Sequence, residues 1–250
     1  MLAPAAAALL ALLAAGREPA LTVVLDPGHG GDQDGATSPG GAKEKDVALQ
    51  IAERVRVHLR QLGAKVVLTR SADLAVPLAN RTAIANAIRA DLFISIHLNS
   101  MPSAEARQHT RGVETYFMSA DASDAHATAV AARENADRLA GEPEVDPDDP
   151  VAAILSDLAQ ADSLQGSSRL AYAVHERLVA ALGADDRGVK QAPFYVLAGA
   201  RMPAVLLEVG FISQDDEAAQ LCSRAYQEKA AAAIAAGVQA FRAQTRAAGR

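Results

Sequence analysis

Two histidines and two glutamates stand where predicted strands or helices begin or end. His29 lies in a glycine-rich turn after the apolar run at residues 21–25, and Glu44 opens a helix after a glycine-rich loop. His97 follows another apolar run, and Glu208 ends a later one. Two imidazoles and a carboxylate suit a catalytic zinc, which keeps a further position for water. The second carboxylate would then serve as the base that takes a proton from that water.

Each of these residues also has a purely structural explanation, and taken singly that explanation is the more common one. A histidine in a turn or at a strand end is usually only hydrogen-bonded. Glu44 could be favoured by the helix dipole, and Glu208 could pair with an arginine such as Arg70 or Arg81. The placement of all four at element ends on one sheet edge, where α/β proteins bind ligands, favours a functional site.

The elements that must position these residues predict a single α/β domain. The chain has 250 residues, half of them hydrophobic, which is enough for one sizeable core. Short apolar or alternating runs predict strands at residues 21–25, 65–69, 91–96, 112–117 (an edge strand), 193–197 and 203–208. Helical periodicity predicts helices at residues 46–62, 79–89, 125–139, 151–158, 167–182 and 226–242. We expect a mixed, mostly parallel sheet of about six strands with helices on both faces.

Composition and the N-terminus limit the partners and the location. The net charge is −6 and no basic stripe is present, so nucleic acid is not an expected partner. The single Cys222 cannot form an intrachain disulfide, and we expect it in the core. Residues 1–20 contain an apolar run, Leu2 to Ala15, whose length suits the hydrophobic region of a signal peptide and is too short for a comfortable membrane span. A buried alanine-rich helix is the alternative, but we favour export with cleavage before Leu21, leaving no stable membrane span.

Four motifs carry a resemblance to a known family: DPGHGG at 26–31, KEKD at 43–46, SIHLN at 95–99 and LLEVGFIS at 206–213. In order and approximate spacing they resemble the zinc-dependent N-acetylmuramoyl-L-alanine amidases, the amidase 3 family, over residues 21–250. The resemblance implies that His29, Glu44 and His97 bind Zn²⁺ and that Glu208 is the catalytic carboxylate. It implies hydrolysis of peptidoglycan at the amide between the lactyl group of N-acetylmuramic acid and L-alanine of the stem peptide.

Other functions use the same residues or the same fold. A different zinc peptidase, such as a carboxypeptidase acting on the stem peptide, would need the same metal chemistry. An inactive wall-binding module would keep the fold alone, but the intact ligand set and Glu208 speak against it. We expect an exported monomer that acts in the periplasm or at the cell wall, in keeping with the cell-division members of the family.

Several residues near the motifs have open roles. Arg70 and Arg81 either orient Glu44 or Glu208, bind a substrate carboxylate or form a structural ion pair, and Asn99 is a further candidate for contacting the substrate. Leu98 stands where the family usually has a small residue. Strand alternation predicts that Leu98 faces away from the metal, into the core. The remaining histidines are expected to be ordinary surface or packing residues: His58, His109, His126 and His175.

Residues 119–166 differ in character from the rest of the chain. An alanine-rich helix gives way there to GEPEVDPDDP at 141–150, which is too acidic and proline-rich to bury itself. The family's cell-division members carry a helical segment at this place that can cover the zinc. We therefore expect residues 119–166 to block the metal at rest, with Glu142 or Glu144 in the open zinc position, until an activator protein moves them. A surface excursion without a regulatory role is the alternative.

Overall fold

A computed structural model describes residues 20–137 and 150–248, and it describes the backbone alone at residues 150–162 and 248. The predicted signal peptide, apart from Ala20, lies outside this part of the chain, as do Glu142 and Glu144. The strands are β1 Thr22–Pro27, β2 Lys65–Leu68, β3 Leu92–Asn99, β4 Val113–Met118, β5 Asp186–Ala192 and β6 Ala204–Phe211. The α-helices are α1 Glu44–Gln61, α2 Leu78–Ala87, α3 Ala104–His109, α4 Ala125–Asn135, α5 Pro150–Leu182, α6 Asp215–Leu221 and α7 Arg224–Ala248.

The six strands form one sheet in the order β2-β1-β3-β6-β4-β5. All neighbouring pairs are parallel except β4 and β6, which are antiparallel. The predicted fold class, a mixed and mostly parallel sheet between helices, is therefore confirmed. Within the described ranges, no helix has the length and apolarity needed to cross a membrane.

Strand alternation divides the buried residues into two cores. On one face of the sheet, Val23 and Leu25 pack with apolar residues of α1, α5 and α7. On the other face, Val24 and Phe93 pack with residues of α2 and α4. Because successive side chains of a strand point to opposite faces, the residues of β3 that share the face of Phe93 include His97 and Asn99. The site therefore lies on the face covered by α2 and α4.

Some element predictions were wrong, for identifiable reasons. The apolar residues 193–197 are not a strand, because they contain the short 3-10 helix Tyr195–Leu197. Val196 and Leu197 of this helix are buried, which explains the apolar sequence. The strand before them, β5, is polar because it lies at the sheet edge, so its sequence carries no apolar signal. The 112–117 strand lies inside the sheet, residues 151–158 and 167–182 belong to one helix, and Cys222 is exposed rather than buried in the core.

Candidate metal centre

The turn that carries His29 has a backbone conformation that needs support. His29 lies in the left-handed region at φ 57°, and Gly30 and Gly31 after it also have positive φ. The ring of His29 is buried and packs edge to face against the ring of His97, with 4.8 Å between centroids. The turn therefore directs a buried imidazole at the end of β3.

Two buried arginines supply the support. Arg81 donates to a side-chain oxygen of Asp26 and to the carbonyls of Pro27 and His29, each at 2.9 Å. Arg70 donates to the carbonyls of Pro27 and Gly28 at 3.0 and 2.6 Å. Neither arginine pairs with a glutamate of the site. Their guanidinium groups instead hold the backbone of the histidine turn. Arg81 also forms an ion pair with Asp26, which agrees with the alternative of a structural ion pair.

Glu44 is placed by the start of α1 and by backbone donors. Its side chain is fully buried. One carboxylate oxygen accepts from the amide of Ala36 at 2.8 Å, and the other accepts from the amide of Leu98 at 2.9 Å. These bonds fix the carboxylate toward both histidines, at 2.9 Å from His29 Nε2 and 3.2 Å from His97 Nδ1.

His97 and Glu208 are register partners on the adjacent strands β3 and β6. Their side chains therefore point to the same face of the sheet. Leu98 points to the opposite face and is buried in the core there, which confirms its predicted orientation. Asn99 donates to Glu114 at 2.6 Å. Its side-chain oxygen Oδ1 accepts from Arg133 of α4 at 3.2 Å, so Asn99 is buried beside the site.

A fourth buried side chain, Glu134 of α4, completes the cluster. One ligand atom each from His29, Glu44, His97 and Glu134 lies within 4.8 Å of the others. Glu134 Oε2 is 2.8 Å from His97 Nδ1 and 3.4 Å from His29 Nε2. Zinc bound tetrahedrally through bonds of about 2.0–2.1 Å would place its ligand atoms about 3.3 Å apart. The separations of 2.8–3.4 Å between neighbouring atoms fit such an ion.

The hydrogen bonding and the charge of the cluster also favour a bound metal ion. His29 Nε2, Glu134 Oε2 and Glu208 Oε2 are buried without a hydrogen-bond partner. Burial by itself lowers the pKa of His97, but the carboxylates of Glu134 and Glu44 outweigh it and raise that pKa to about 9. Burial, with the negative charge of Glu134, raises the pKa of Glu208 well above its ordinary value. A divalent cation would satisfy the free ligand atoms and neutralise this concentration of carboxylates.

Besides Glu134, the α4 segment contacts the site through Arg133 in the helix and Asp137 just after it. Arg133 donates to the carbonyl of Ser100 at 2.8 Å, to Asn99 at 3.2 Å and to Glu208 at 3.4 Å. Beyond the helix end, Asp137 bonds to Nδ1 of His29 and accepts from Gln33 through its backbone carbonyl. Glu208 therefore pairs with an arginine, as its structural explanation predicted, but this arginine is Arg133 of α4 and not Arg70 or Arg81.

Glu134 is a site residue that the sequence analysis missed, although the sequence carries a usable signal for it. The predicted helix carries apolar side chains at Ala127, Val130 and Ala131, and Glu134 continues that buried stripe at helical spacing. A carboxylate on the buried face of a helix is unfavourable unless it has a partner. That partner, the cluster around His97, was already predicted.

Two glycines leave space for the ligand rings. A Cβ atom at Gly28 would come 2.4 Å from the ring of His97. A Cβ atom at Gly35, which also has φ +67°, would come 2.5 Å from the ring of His29 and 2.7 Å from Glu44. The backbone therefore packs directly against the candidate ligands at both positions.

The sequence of a known family extends over nearly all of the described chain. Residues 23–240 match the family described as N-acetylmuramoyl-L-alanine amidase. The chain belongs to this family. It is 39% identical over 221 residues to N-acetylmuramoyl-L-alanine amidase AmiA of Escherichia coli strain K12, which covers 88% of this chain and 75% of the relative.

Solved structures of family members share the fold. N-acetylmuramoyl-L-alanine amidase AmiC2 of Nostoc punctiforme superposes with a TM-score of 0.67 at 31% identity, over 89% of this chain and 97% of that one. The CwlD amidase from Clostridioides difficile, solved in complex with the GerS lipoprotein, superposes with a TM-score of 0.66 at 26% identity, over 89% of this chain and 98% of that one. The four predicted site residues therefore lie in the fold of an amidase family, at one place on its sheet.

Proposed function

We propose that this chain is a zinc-dependent amidase of peptidoglycan that cleaves the bond between N-acetylmuramic acid and L-alanine of the stem peptide. The observation that carries the proposal is the buried cluster of His29, Glu44 and His97, with Glu208 in register beside it. Ligand atoms at zinc spacing would hold the metal, and the adjacent Glu208, whose Oε2 has no hydrogen-bond partner, would supply the base. Membership of the amidase family supports the choice of bond.

The roles of the residues follow from their positions. His29, Glu44 and His97 would hold the ion, which when bound lowers the pKa of water and polarises a carbonyl. Glu208 lies on the strand next to His97, and its Oε2 is buried without a hydrogen bond. We assign to Glu208 the transfer of a proton from the attacking water to the leaving amine of L-alanine. Burial of the site excludes bulk water from this transfer.

Helix α4 supports a second part of the proposal, a closed resting state. Glu134 is at ligand distance from both histidines, and Arg133 reaches the carboxylate assigned as the base. Substrate cannot reach either group while α4 lies there. We propose that α4 blocks the site and must move for cleavage. In this proposal Glu134 fills the open zinc position, which the sequence analysis assigned to Glu142 or Glu144. Those two residues lie outside the described part of the chain.

The partner and the location remain proposals of the same kind. The solved complex of the CwlD amidase with the GerS lipoprotein shows that one member of this fold binds a protein partner. We propose that a partner protein moves α4 here, during cell division. Because peptidoglycan lies outside the cytoplasmic membrane, we also propose export through the signal sequence at residues 1–20 to the periplasm or the cell wall.

The test combines metal analysis with identification of the product. We expect the purified protein to contain one zinc per chain, and Glu134→Ala to release from isolated sacculi intact peptides that begin with L-alanine. A carboxypeptidase would instead release single C-terminal amino acids, which mass analysis distinguishes. The matched controls are His97→Ala, which should lose zinc, and His58→Ala on α1, which should keep it. Peptides lacking N-terminal L-alanine, or a protein that binds no zinc, would refute the proposal.

A further inference from the structure

Helix α4 lies across five strands of the sheet and contacts a side chain from each in turn. From its N-terminal to its C-terminal end the contacts are Asp124 with Lys190 of β5 (3.3 Å), His126 with Glu114 of β4 (3.0 Å), Arg133 with Glu208 of β6 (3.4 Å), Glu134 with His97 of β3 (2.8 Å), and Asp137 with His29 after β1. The segment from the cap Asp124 to Asp137, thirteen residue steps and mostly helical, extends about 20 Å. Four strand spacings extend about 19 Å. The helix therefore fills one continuous groove.

The β5 end of this groove is basic. Arg187 Nε and Lys190 Nζ lie 3.0 and 3.2 Å from the same oxygen of Glu114, which is fully buried. Lys190 also contacts Asp124, the residue that caps α4, at 3.3 Å. Two cations thus share one permanent carboxylate and one carboxylate brought by the helix. When α4 leaves, one positive charge at this end has no partner among these carboxylates.

The two oxygens of Asp124 have separate partners. Oδ1 accepts from the amide of Ala127 at 2.7 Å and caps the helix. Oδ2 faces Lys190. Capping alone needs only the first oxygen. The second places a carboxylate in the groove, just as Glu134 places one at the metal cluster.

We infer that Lys190, with Arg187, forms a subsite for a free carboxylate of the stem peptide, and that Asp124 occupies this subsite in the closed form. The inference rests on the proposed amidase function. Only the peptide side of the cleaved bond carries free carboxylates, so the peptide would extend toward β5 and the sugar toward β1. From β3 to β5 is about 14 Å, or about four extended residues. Because the basic side chains reach back into the groove, the second or third stem residue is within range.

Paired substrates test this assignment. In the Glu134→Ala background, Lys190→Gln should raise KM about 10-fold for a muramyl tripeptide with free carboxylates. This is the size of effect expected when one charge-assisted hydrogen bond to the substrate is lost. Its kcat should stay within about twofold, since Lys190 is remote from the metal cluster. KM for the same tripeptide with its carboxylates amidated should not change. Lys190→Arg should restore the preference, and Arg111→Gln, at an exposed ion pair elsewhere, should alter neither substrate.

The alternative outcomes are distinct. An equal loss on both substrates would show a structural role for Lys190 and overturn the subsite. Failure of the Glu134→Ala parent to cleave either tripeptide would count against the proposed function instead.

A second variant keeps the inference testable if Lys190→Gln does not fold. Asp124→Asn retains the capping oxygen and removes the charge. We expect it to raise basal cleavage in the otherwise unaltered full chain about 2- to 5-fold, in the range of a partly exposed ion pair. Unchanged cleavage would overturn the role of Asp124 as an occupant of the subsite.

Discussion

The two sides of the metal cluster are built differently. His29, Glu44 and His97 come from strands, a turn and a helix start that are held by buried donors, above all the fully buried Arg81. Glu134 comes from a single helix whose other contacts with the groove, Arg133 among them, are partly exposed. Movement of the first side would break buried hydrogen bonds, whereas the polar contacts of α4 other than those of Glu134 involve partly exposed side chains. On the proposed function, the cluster combines a permanent ligand set, His29, Glu44 and His97, with a removable ligand, Glu134.

The largest expected effect concerns the permanent side. Glu208→Gln should reduce turnover in the Glu134→Ala background by about 10²–10⁴-fold, because an amide cannot carry the proton. Zinc content should remain at one per chain. The control is Glu217→Gln, another buried glutamate that lies on α6 and contacts backbone amides. Retained turnover in Glu208→Gln would assign the base to another residue.

Two arginines provide a direct comparison of the sides. Arg81→Met should lower the free energy of unfolding by about 3–5 kcal/mol, because it leaves the buried charge of Asp26 without its partner. Arg133→Met should cost about 1 kcal/mol or less, because Arg133 is a third exposed. Urea unfolding of both variants measures the difference. Equal losses would show that α4 is as firmly built in as the histidine turn.

Removal of the helix carboxylate should release activity. Glu134→Ala should raise basal cleavage of sacculi about 10-fold, within the range of coupling energies of 1–3 kcal/mol. The fold should be unaffected, since the side chain belongs to the removable side. Glu176→Ala on α5 is a matched helical control. A decrease in cleavage would mean that Glu134 is a permanent ligand that catalysis needs.

The smallest expected effect is a pH dependence at Glu114, on the permanent side. Burial by itself raises the pKa of Glu114, but His126, Lys190 and Arg187 outweigh it and lower that pKa to about 2. The ionised form is therefore favoured by folding. Its stabilisation should be present above about pH 4.5 and lost as the pH falls toward 2.

The free energy of unfolding of Glu114→Gln, compared with that of the unaltered protein from pH 7 to pH 3, measures this stabilisation. After allowance for the partly exposed cations, we expect the variant to be about 1 kcal/mol less stable at pH 7. The difference should shrink as the pH falls. A constant difference over this range would assign the stabilisation to hydrogen bonding that does not depend on charge.

The permanent side was largely predictable from the sequence, and the removable side was not. His29 follows β1, Glu44 begins α1, and His97 and Glu208 lie in the second halves of β3 and β6. Strong apolar patterns mark these elements, and parallel strands bring their carboxyl ends to one edge. Glu134 lies inside a helix that was predicted correctly in kind. Its contact with His97 depends on how α4 crosses the sheet, and no local pattern encodes that direction.

The same reasoning explains the errors in the fold and in the arginine roles. β5 was missed because an edge strand that carries Arg187 and Lys190 has little apolar surface to bury. Arg70 and Arg81 were considered as partners of acidic side chains. They bind mainly backbone carbonyls, which every residue has and which no sequence pattern reveals.

The lack of a side chain at Gly28 and Gly35 predicts which related chains have lost the metal site. Any side chain at position 28 would displace the His97 ring, and any at position 35 would collide with His29 and Glu44. A descendant that keeps the fold but no longer needs the ion is freed from both constraints. Alanine or a larger residue at these two places is therefore the expected mark of a relative that has given up catalysis, even where its histidines survive.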